Sequence, residues 1–247
     1  MSLSHPSPNF GERRGRGRVE LVVLHYTAMR SCAEALERLC DAAAEVSAHY
    51  LIDGDGTVQS LVDEAARAWH AGAGDWGGEG DVNSRSIGIE LANSGTEPFA
   101  EPQMAALECL LAGVMQRHGL GPEAVIAHSD MAPERKVDPG LRFDWRRLAL
   151  QGLSVWPELD PEEASPPQPS PTRGEGGSAG LTLDPEAWAG FLADLRAFGY
   201  PNAAPDTLLT AFRLRFRPWA EGPLDATDQA LAAGLRRFAV DARRSDA

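Results

Sequence analysis

The chain has 247 residues and a formal net charge of −13 at pH 7, because 36 Asp and Glu oppose 23 Lys and Arg. This balance disfavours a protein that follows nucleic-acid phosphates, since that class presents a basic surface. Hydrophobic residues make up 43% of the chain and charged residues 24%, which is ordinary for a globular protein. The length allows one sizeable core and a small second domain.

The first elements predicted along the chain are a strand, a helix and a hairpin. The apolar run over residues 19–24 indicates a buried strand. Ser31 is a suitable N-cap for a helix over residues 31–41. Residues 47–62 predict a hairpin, with the turn sequence Asp-Gly-Asp-Gly at 53–56.

Strands and helices alternate through the following hundred residues. The pattern predicts a strand over residues 86–93, a helix over 102–119, a strand over 124–128 and a short helix over 143–150. Strands interleaved with helices and a hairpin predict an α+β domain, built on one mixed central β-sheet with flanking helices.

A break in composition divides the chain. Residues 158–180 are rich in Pro, Ser, Gly and Glu and contain no aromatic residue, which predicts a flexible linker. We therefore expect a first domain over residues 1–157 and a second over 181–247. The second domain carries three amphipathic patterns and predicts a small all-α three-helix bundle. These patterns begin at Asp184, Pro205 and Asp225.

Three predicted strands end in a reactive side chain, namely His25, Glu90 and His128. Further along, one loop holds Asp138 and the only lysine of the chain, Lys136. Two histidines and one carboxylate form a known catalytic zinc set that leaves a fourth position for water. A histidine at the end of a strand is also a common structural residue. The spacing alone leaves both interpretations open.

Six motifs, in order over about residues 5–157, resemble one enzyme family: VVLHYTA, SAHYLID, RAWHAG, NSRSIGIEL, AHSDMAPERKVDPG and FDWRRL. They are similar to the zinc-dependent N-acetylmuramoyl-L-alanine amidases of type 2, which are related to peptidoglycan recognition proteins. The resemblance implies that His25, His128 and Asp138 bind Zn²⁺. It also implies that Glu90 is the general base or proton shuttle, and that Lys136 stabilises the tetrahedral oxyanion.

The same resemblance implies a substrate class. The family cuts the amide bond between the lactyl group of N-acetylmuramic acid, or its 1,6-anhydro form, and the L-alanine of the stem peptide. The expected partners are therefore peptidoglycan fragments (muropeptides), in cell-wall turnover or recycling. The alternatives are a recognition module that binds such fragments without cutting them, and a metalloprotease of ordinary peptides. Because the ligand positions, Glu90 and Lys136 are all present, the sequence favours the amidase.

The second domain resembles the small helical peptidoglycan-binding module that follows some of these amidases. A proline-rich tether favours independent targeting by raising the effective concentration. The alternative is a domain that only packs on the first one.

Other polar and aromatic residues leave their roles open. His70 is a candidate for a position beside the substrate cleft. It is equally a candidate for a core position, or for one that hydrogen-bonds a metal ligand. His49 is expected to be packed or hydrogen-bonded, and His118 to interact with a helix C-terminus. Three further residues are candidates for a sugar or peptide groove and equally for core positions: Trp69, Trp76 and Asn93.

Sequence also bears on the compartment. The run over residues 19–24 contains Glu20 and is shorter than the apolar region of an export signal, and no stretch reaches the roughly 18 apolar residues of a membrane span. The three cysteines show no CxxC pairing and are expected to be free thiols. We therefore expect a cytoplasmic protein without a membrane span, or a periplasmic one if an upstream leader was missed.

Overall fold

The structure, a computed structural model, describes residues 4–158 and 184–239. Most of the predicted linker and the end of the predicted third helix of the second domain lie outside these residues. In the two described ranges, the strands are β1 (Phe10–Glu12), β2 (Leu21–Tyr26), β3 (Tyr50–Ile52), β4 (Val58–Ser60), β5 (Ala66–Ala68), β6 (Ser86–Leu91) and β7 (Val125–Ala127). The α-helices are α1 (Cys32–Cys40), α2 (Val82–Arg85), α3 (Glu101–His118), α4 (His128–Met131), α5 (Trp145–Leu150), α6 (Pro185–Phe198), α7 (Pro205–Phe216) and α8 (Ala226–Gly234).

The central sheet has five strands in the order β4-β3-β6-β2-β7. Strands β3, β6, β2 and β7 are parallel to one another, and the edge strand β4 pairs antiparallel with β3. A separate two-stranded sheet pairs β1 with β5. The prediction of a mixed sheet flanked by helices is confirmed.

Local sequence signals explain where the helices begin and end. The Ser31 hydroxyl accepts a hydrogen bond from the backbone N–H of Glu34, which caps α1 as predicted. Helix α3 ends at Gly119, whose φ of 64° lies in the left-handed region that glycine tolerates best. Asp184 caps α6, and Asp225 caps α8 through a reciprocal capping box with Asp228.

Side chains alternate across the central sheet, and each face has its own core. On one face, Val22, Leu24 and Ile89 pack with the apolar side of α3 and with α5. On the opposite face, Leu21 and Val23 pack with residues of the C-terminal helices. Since strand neighbours point to opposite faces, His25 lies on the same face as Val23.

The C-terminal helices, residues 184–239, are called the helical region below. They share a hydrophobic core with residues 4–158, in which Trp76 packs against Phe198 and Tyr200 at ring-centroid distances of 5.4 and 5.3 Å. Gly199 adjoins Trp76 so closely that an added Cβ would lie 2.4 Å from the indole. The helical region therefore packs directly on the face of the sheet that carries His25. None of the helices in the described ranges is both long and apolar enough to cross a membrane.

Candidate metal centre and active site

The reactive residues predicted at strand ends meet at one edge of the sheet. His25 lies near the carboxyl end of β2, Glu90 near that of β6, and His128 directly follows β7. Because these strands are parallel, their carboxyl ends lie together. The loop that holds Asp138 joins them, since the backbone N–H of Ser129 donates a 3.0 Å hydrogen bond to the carbonyl of Asp138.

Three side-chain atoms converge on one point. The Nδ1 atoms of His25 and His128 are 2.9 Å apart, and each lies 2.9 Å from Oδ2 of Asp138. All three residues are buried. Burial opposes the charge of Asp138, but contacts with the two imidazoles outweigh it and hold the pKa of this carboxyl well below its usual range. Asp138 is therefore an anion between two imidazoles.

Hydrogen bonds on the far side of each ring define which nitrogen carries the proton. Nε2 of His128 lies 2.9 Å from the backbone carbonyl of Ala71, which can only accept. In the tautomer that this contact favours, Nε2 carries the proton. The lone pair of Nδ1 then points at the centre of the triangle, the name used below for the three converging atoms Nδ1 of His25, Nδ1 of His128 and Oδ2 of Asp138.

A longer relay leads to the same result for His25. The Ser86 hydroxyl donates to the carbonyl of Val82 at 2.6 Å and so accepts from Nε2–H of His70 at 3.1 Å. The other nitrogen of neutral His70, Nδ1, must then accept from Nε2–H of His25, 3.0 Å away. This arrangement leaves Nδ1 of His25 without a proton.

The donor set fits a divalent metal ion. Two imidazole lone pairs and one carboxylate oxygen lie within 4.8 Å of one another and face a common point. In the tautomers that the outer hydrogen bonds favour, these three atoms are all acceptors, and a cation bound between them satisfies all three. Two histidines and a carboxylate are typical zinc ligands.

Glu90 lies beside this cluster as the cross-strand partner of His25 in the parallel pair of β6 and β2. One of its carboxylate oxygens, Oε2, is buried without a hydrogen-bond partner. Burial, together with the nearby charge of Asp138, raises the pKa of Glu90 to about 8, although Lys136 acts in the opposite direction. A carboxyl group of this kind is suited to exchanging a proton near neutral pH.

The loop after α4 brings Lys136 to the same place. The backbone N–H of Lys136 donates a 3.0 Å hydrogen bond to the carbonyl of Ala132, which fixes the turn. Its ammonium is close enough to lower the pKa of both His25 and Glu90. Lys136 therefore contributes a positive charge at the centre.

A cleft of about 360 Å³ opens over the cluster. Its lining includes the three triangle residues, Glu90 and Lys136 together with Tyr26, Trp69, His70 and Arg38. A larger cavity of about 1370 Å³ lies between α5 and the helical region and contains none of the five predicted site residues. The chemistry is therefore concentrated in the smaller cleft.

Comparison with known proteins agrees with this geometry. Residues 15–141 match the Amidase_2 family, described as N-acetylmuramoyl-L-alanine amidase. The chain belongs to this family. AmiD of Escherichia coli (strain K12), an N-acetylmuramoyl-L-alanine amidase, is 35% identical over 241 residues that cover 88% of this chain and 82% of AmiD. AmpD of Haemophilus influenzae, a 1,6-anhydro-N-acetylmuramyl-L-alanine amidase, is 39% identical over 103 residues, 41% of this chain and 56% of AmpD.

Solved structures extend the likeness to the helical region. The E. coli AmiD complex with anhydro-N-acetylmuramic acid-L-Ala-D-γ-Glu-L-Lys superposes with a TM-score of 0.74 and 32% identity, covering 93% of this chain and 97% of AmiD. AmpDh3 from Pseudomonas aeruginosa gives a TM-score of 0.72 and 28% identity, covering 96% of this chain and 98% of its own. Matches this long cannot stop at residue 141, so the likeness to both structures includes the helical region.

The structure also places the other residues considered in this amidase sequence. His49 is buried and accepts a 2.9 Å hydrogen bond from the backbone N–H of Gly88, as expected. His118 lies near the end of α3 and contacts Glu64 at 2.8 Å, a partner that the sequence pattern did not indicate. Of the groove candidates, Trp69 lines the cleft and Trp76 belongs to the core. Asn93 is buried, and its side chain bonds backbone groups of the loop that follows β6.

Two contributors to the site were missed by sequence reasoning. Ser86 and Val82 complete the relay behind His25, and both come from the short helix α2 and its junction with β6. The sequence placed no helix there, because four residues carry too little periodicity to detect. The spacing of Ser86 four residues after Val82 was the available signal, since a serine hydroxyl often bonds the carbonyl four residues earlier.

Proposed function

We propose that the protein is a zinc-dependent N-acetylmuramoyl-L-alanine amidase. It would hydrolyse the amide that links the lactyl group of N-acetylmuramic or 1,6-anhydro-N-acetylmuramic acid to L-alanine of the stem peptide. The observation that carries the proposal is the convergence of His25, His128 and Asp138 at 2.9 Å, with Glu90 and Lys136 in the same cleft.

The relatives support a soluble muropeptide as the substrate. The AmiD structure contains an anhydro-muramyl tripeptide, and AmpDh3 has been solved with an anhydromuramic pentapeptide. Both superpose over nearly the whole of this chain. We therefore infer that anhydro-muropeptides enter the cleft, as part of peptidoglycan recycling.

The residues that would hold zinc are His25, His128 and Asp138. When bound there, zinc supplies a Lewis acid that polarises the amide carbonyl and makes water more acidic. The three ligands would give a site with one anionic and two neutral donors. Their outer hydrogen bonds, described above for both rings, hold the lone pairs in place before the ion arrives.

Glu90 would act as the proton carrier. With a pKa raised to about 8, its carboxylate accepts a proton from the attacking water and, as a carboxylic acid, delivers it to the departing amine of L-alanine. Its unpartnered Oε2 is the atom available for this exchange. The role requires no change in the position of β6.

Lys136 would stabilise the charge that builds on the former carbonyl oxygen. An ammonium on a flexible stem is a point charge, so it can follow this oxygen as the carbon becomes tetrahedral. This role accounts for a lysine in a chain that otherwise uses arginine.

The test is mass spectrometry of products formed from an anhydro-muramyl peptide, with and without a chelator. The proposal predicts free peptide plus anhydro-muramic sugar, and their loss when the metal is removed. His128→Ala should abolish both zinc binding and cleavage. His118→Ala is the matched control, because His118 contacts Glu64 away from the triangle.

Other outcomes would point to other functions. Zinc-loaded protein that leaves a muropeptide intact would indicate polymeric wall as the substrate. Muropeptide binding without zinc and without cleavage would favour a recognition module. Equal cleavage of a plain peptide would favour a metalloprotease.

A further inference from the structure

The carboxylate of Asp130 is completely buried two residues after His128, within α4. Its Oδ2 accepts a 2.9 Å hydrogen bond from the backbone N–H of Ala127, the residue that precedes the helix. Asp130 thus caps the helix whose first residue is a member of the triangle. It does not line the cleft, and the proposed reaction does not use it.

The side chains that satisfy this carboxylate come from the helical region. The hydroxyl of Tyr200 donates to Oδ1 of Asp130 at 2.6 Å. Arg215 of α7 forms an ion pair with Oδ2, and both charged side chains are inaccessible to solvent. A buried carboxylate is strongly unfavourable unless it is paired and hydrogen-bonded. Asp130 therefore depends on residues that lie at least 70 positions away in sequence.

Arg215 reaches well into the N-terminal part of the molecule. It donates to the carbonyl of Val125 at 3.0 Å and to the hydroxyl of Ser154 at 3.2 Å. Its guanidinium lies 4.3 Å from the ring centroid of Trp145. These contacts tie α7 to Val125, the first residue of β7, and β7 leads directly into His128.

Resting on the zinc amidase function proposed above, we propose that the helical region positions one ligand of the metal centre, His128. Tyr200 and Arg215 hold Asp130, Asp130 holds the start of α4, and α4 presents Nδ1 of His128 to the metal. Without the buried pair, the Asp130 carboxylate would have to reach water, which displaces α4 and with it His128. Tyr200 and Arg215 are thus positioning residues, separated from the metal by Asp130.

The chain offers a matched pair of substitutions on one helix. Arg213 and Arg215 both lie on α7, and each forms a buried ion pair with an aspartate. The partner of Arg213 is Asp228 of α8, inside the helical region, whereas the partner of Arg215 is Asp130. Arg213→Met and Arg215→Met therefore remove comparable buried pairs, but only the second one touches the segment that bears His128.

The experiment measures zinc affinity of the full chain by competition with a chromophoric chelator, alongside thermal unfolding of the metal-free protein. Arg215→Met should weaken zinc binding by about tenfold or more, the size of effect seen when the support of a ligand is lost. Arg213→Met should lower the unfolding temperature but leave zinc affinity within about twofold of wild type.

Tyr200→Phe keeps the ring in the core and removes only the hydroxyl, so it carries the test if Arg215→Met does not fold. It should weaken zinc binding by several-fold. Wild-type affinity in Tyr200→Phe and in folded Arg215→Met, or an equal loss in Arg213→Met, would overturn the positioning role while leaving the amidase proposal intact. A wild-type protein that binds no zinc would overturn both.

Discussion

His25 and Glu90 are direct cross-strand partners in the parallel pair of β2 and β6. Partners in a parallel ladder project on the same face of the sheet, so the proposed metal ligand and the proposed proton carrier share one rigid support. The preceding partners in this ladder, Leu24 and Ile89, are completely buried. The distance between His25 and Glu90 is therefore set by backbone pairing and not by a mobile loop.

Replacing Glu90 by Gln should lower kcat by about 10²–10⁴-fold, because the amide cannot take up a proton. Zinc content should stay at the wild-type level, since Glu90 contributes no atom to the triangle. Steady-state kinetics and metal analysis on the same sample check both parts. Glu134→Gln is a control at an exposed position near Lys136. Unchanged turnover in Glu90→Gln would assign proton transfer to another group.

Replacing Lys136 by Met should lower kcat by about 10²–10³-fold, as expected for the loss of one oxyanion donor. Arg should restore the charge without restoring the rate, because its planar guanidinium places its donors differently. The measurement is kcat and KM for an anhydro-muramyl peptide in both variants. Near-normal turnover in Lys136→Arg would contradict the point-charge role.

Replacing His70 should weaken zinc binding, because His70 accepts the hydrogen bond that orients the His25 ring. His70→Leu removes the acceptor that holds the Nε2 proton of His25, and loss of such support typically weakens metal binding by about 10–100-fold. His70→Asn keeps an acceptor and should lose less. Chelator competition measures the affinities, and nitrogen NMR of the metal-free protein should show that His25 carries its proton on Nε2 in wild type.

Gly88→Ala should produce the same effect without replacing either His25 or His70. An added Cβ at Gly88 would lie 2.4 Å from the His70 ring, so the ring must move and the relay with it. Gly54→Ala is the control, because a Cβ at Gly54 meets nothing within 4 Å. If Gly88→Ala bound zinc as tightly as Gly54→Ala, the relay would be unnecessary for the site.

The stability of the metal-free protein should fall as pH drops below about 6.5. Burial, with the nearby positive charge of Arg13, lowers the pKa of His49 to about 3, against about 6.5 in the unfolded chain. Between these values the unfolded chain binds the extra proton, so acid favours unfolding by at most about 1.4 kcal/mol per pH unit from this group. The check is urea unfolding from pH 7 to pH 4.

His49→Gln should remove that part of the pH dependence. The comparison variant is His5→Gln, because His5 is exposed in the folded protein. A slope against pH that is the same in His49→Gln and in wild type would show that other groups account for the acid sensitivity.

The elements that were predicted correctly are those with strong local signals. Helix α3 follows an apolar periodicity that ends at a glycine, and the β3–β4 hairpin follows its Asp-Gly-Asp-Gly turn. The missed elements are short: β1 and β5 have three residues each, and α4 has four. Segments of this length are stabilised by their neighbours, so their own sequences contain too little information.

Sequence by itself determined the chemical inventory of the site. The sequence predicts the strand ends at His25, Glu90 and His128 and the loop that bears Lys136 and Asp138. It can do so because side-chain chemistry and strand patterns are local properties. Strand order in the sheet was not predicted, because pairing joins segments far apart in the chain.

Only the tertiary structure decided how that inventory is used. The proton positions on His25 and His128 depend on acceptors at His70 and Ala71, and the burial of Asp130 depends on Arg215 of a distant helix. The same holds for the raised pKa of Glu90, which follows from desolvation and through-space charge. These quantities arise from burial and from contacts across the fold, and neither is a property of a residue and its sequence neighbours.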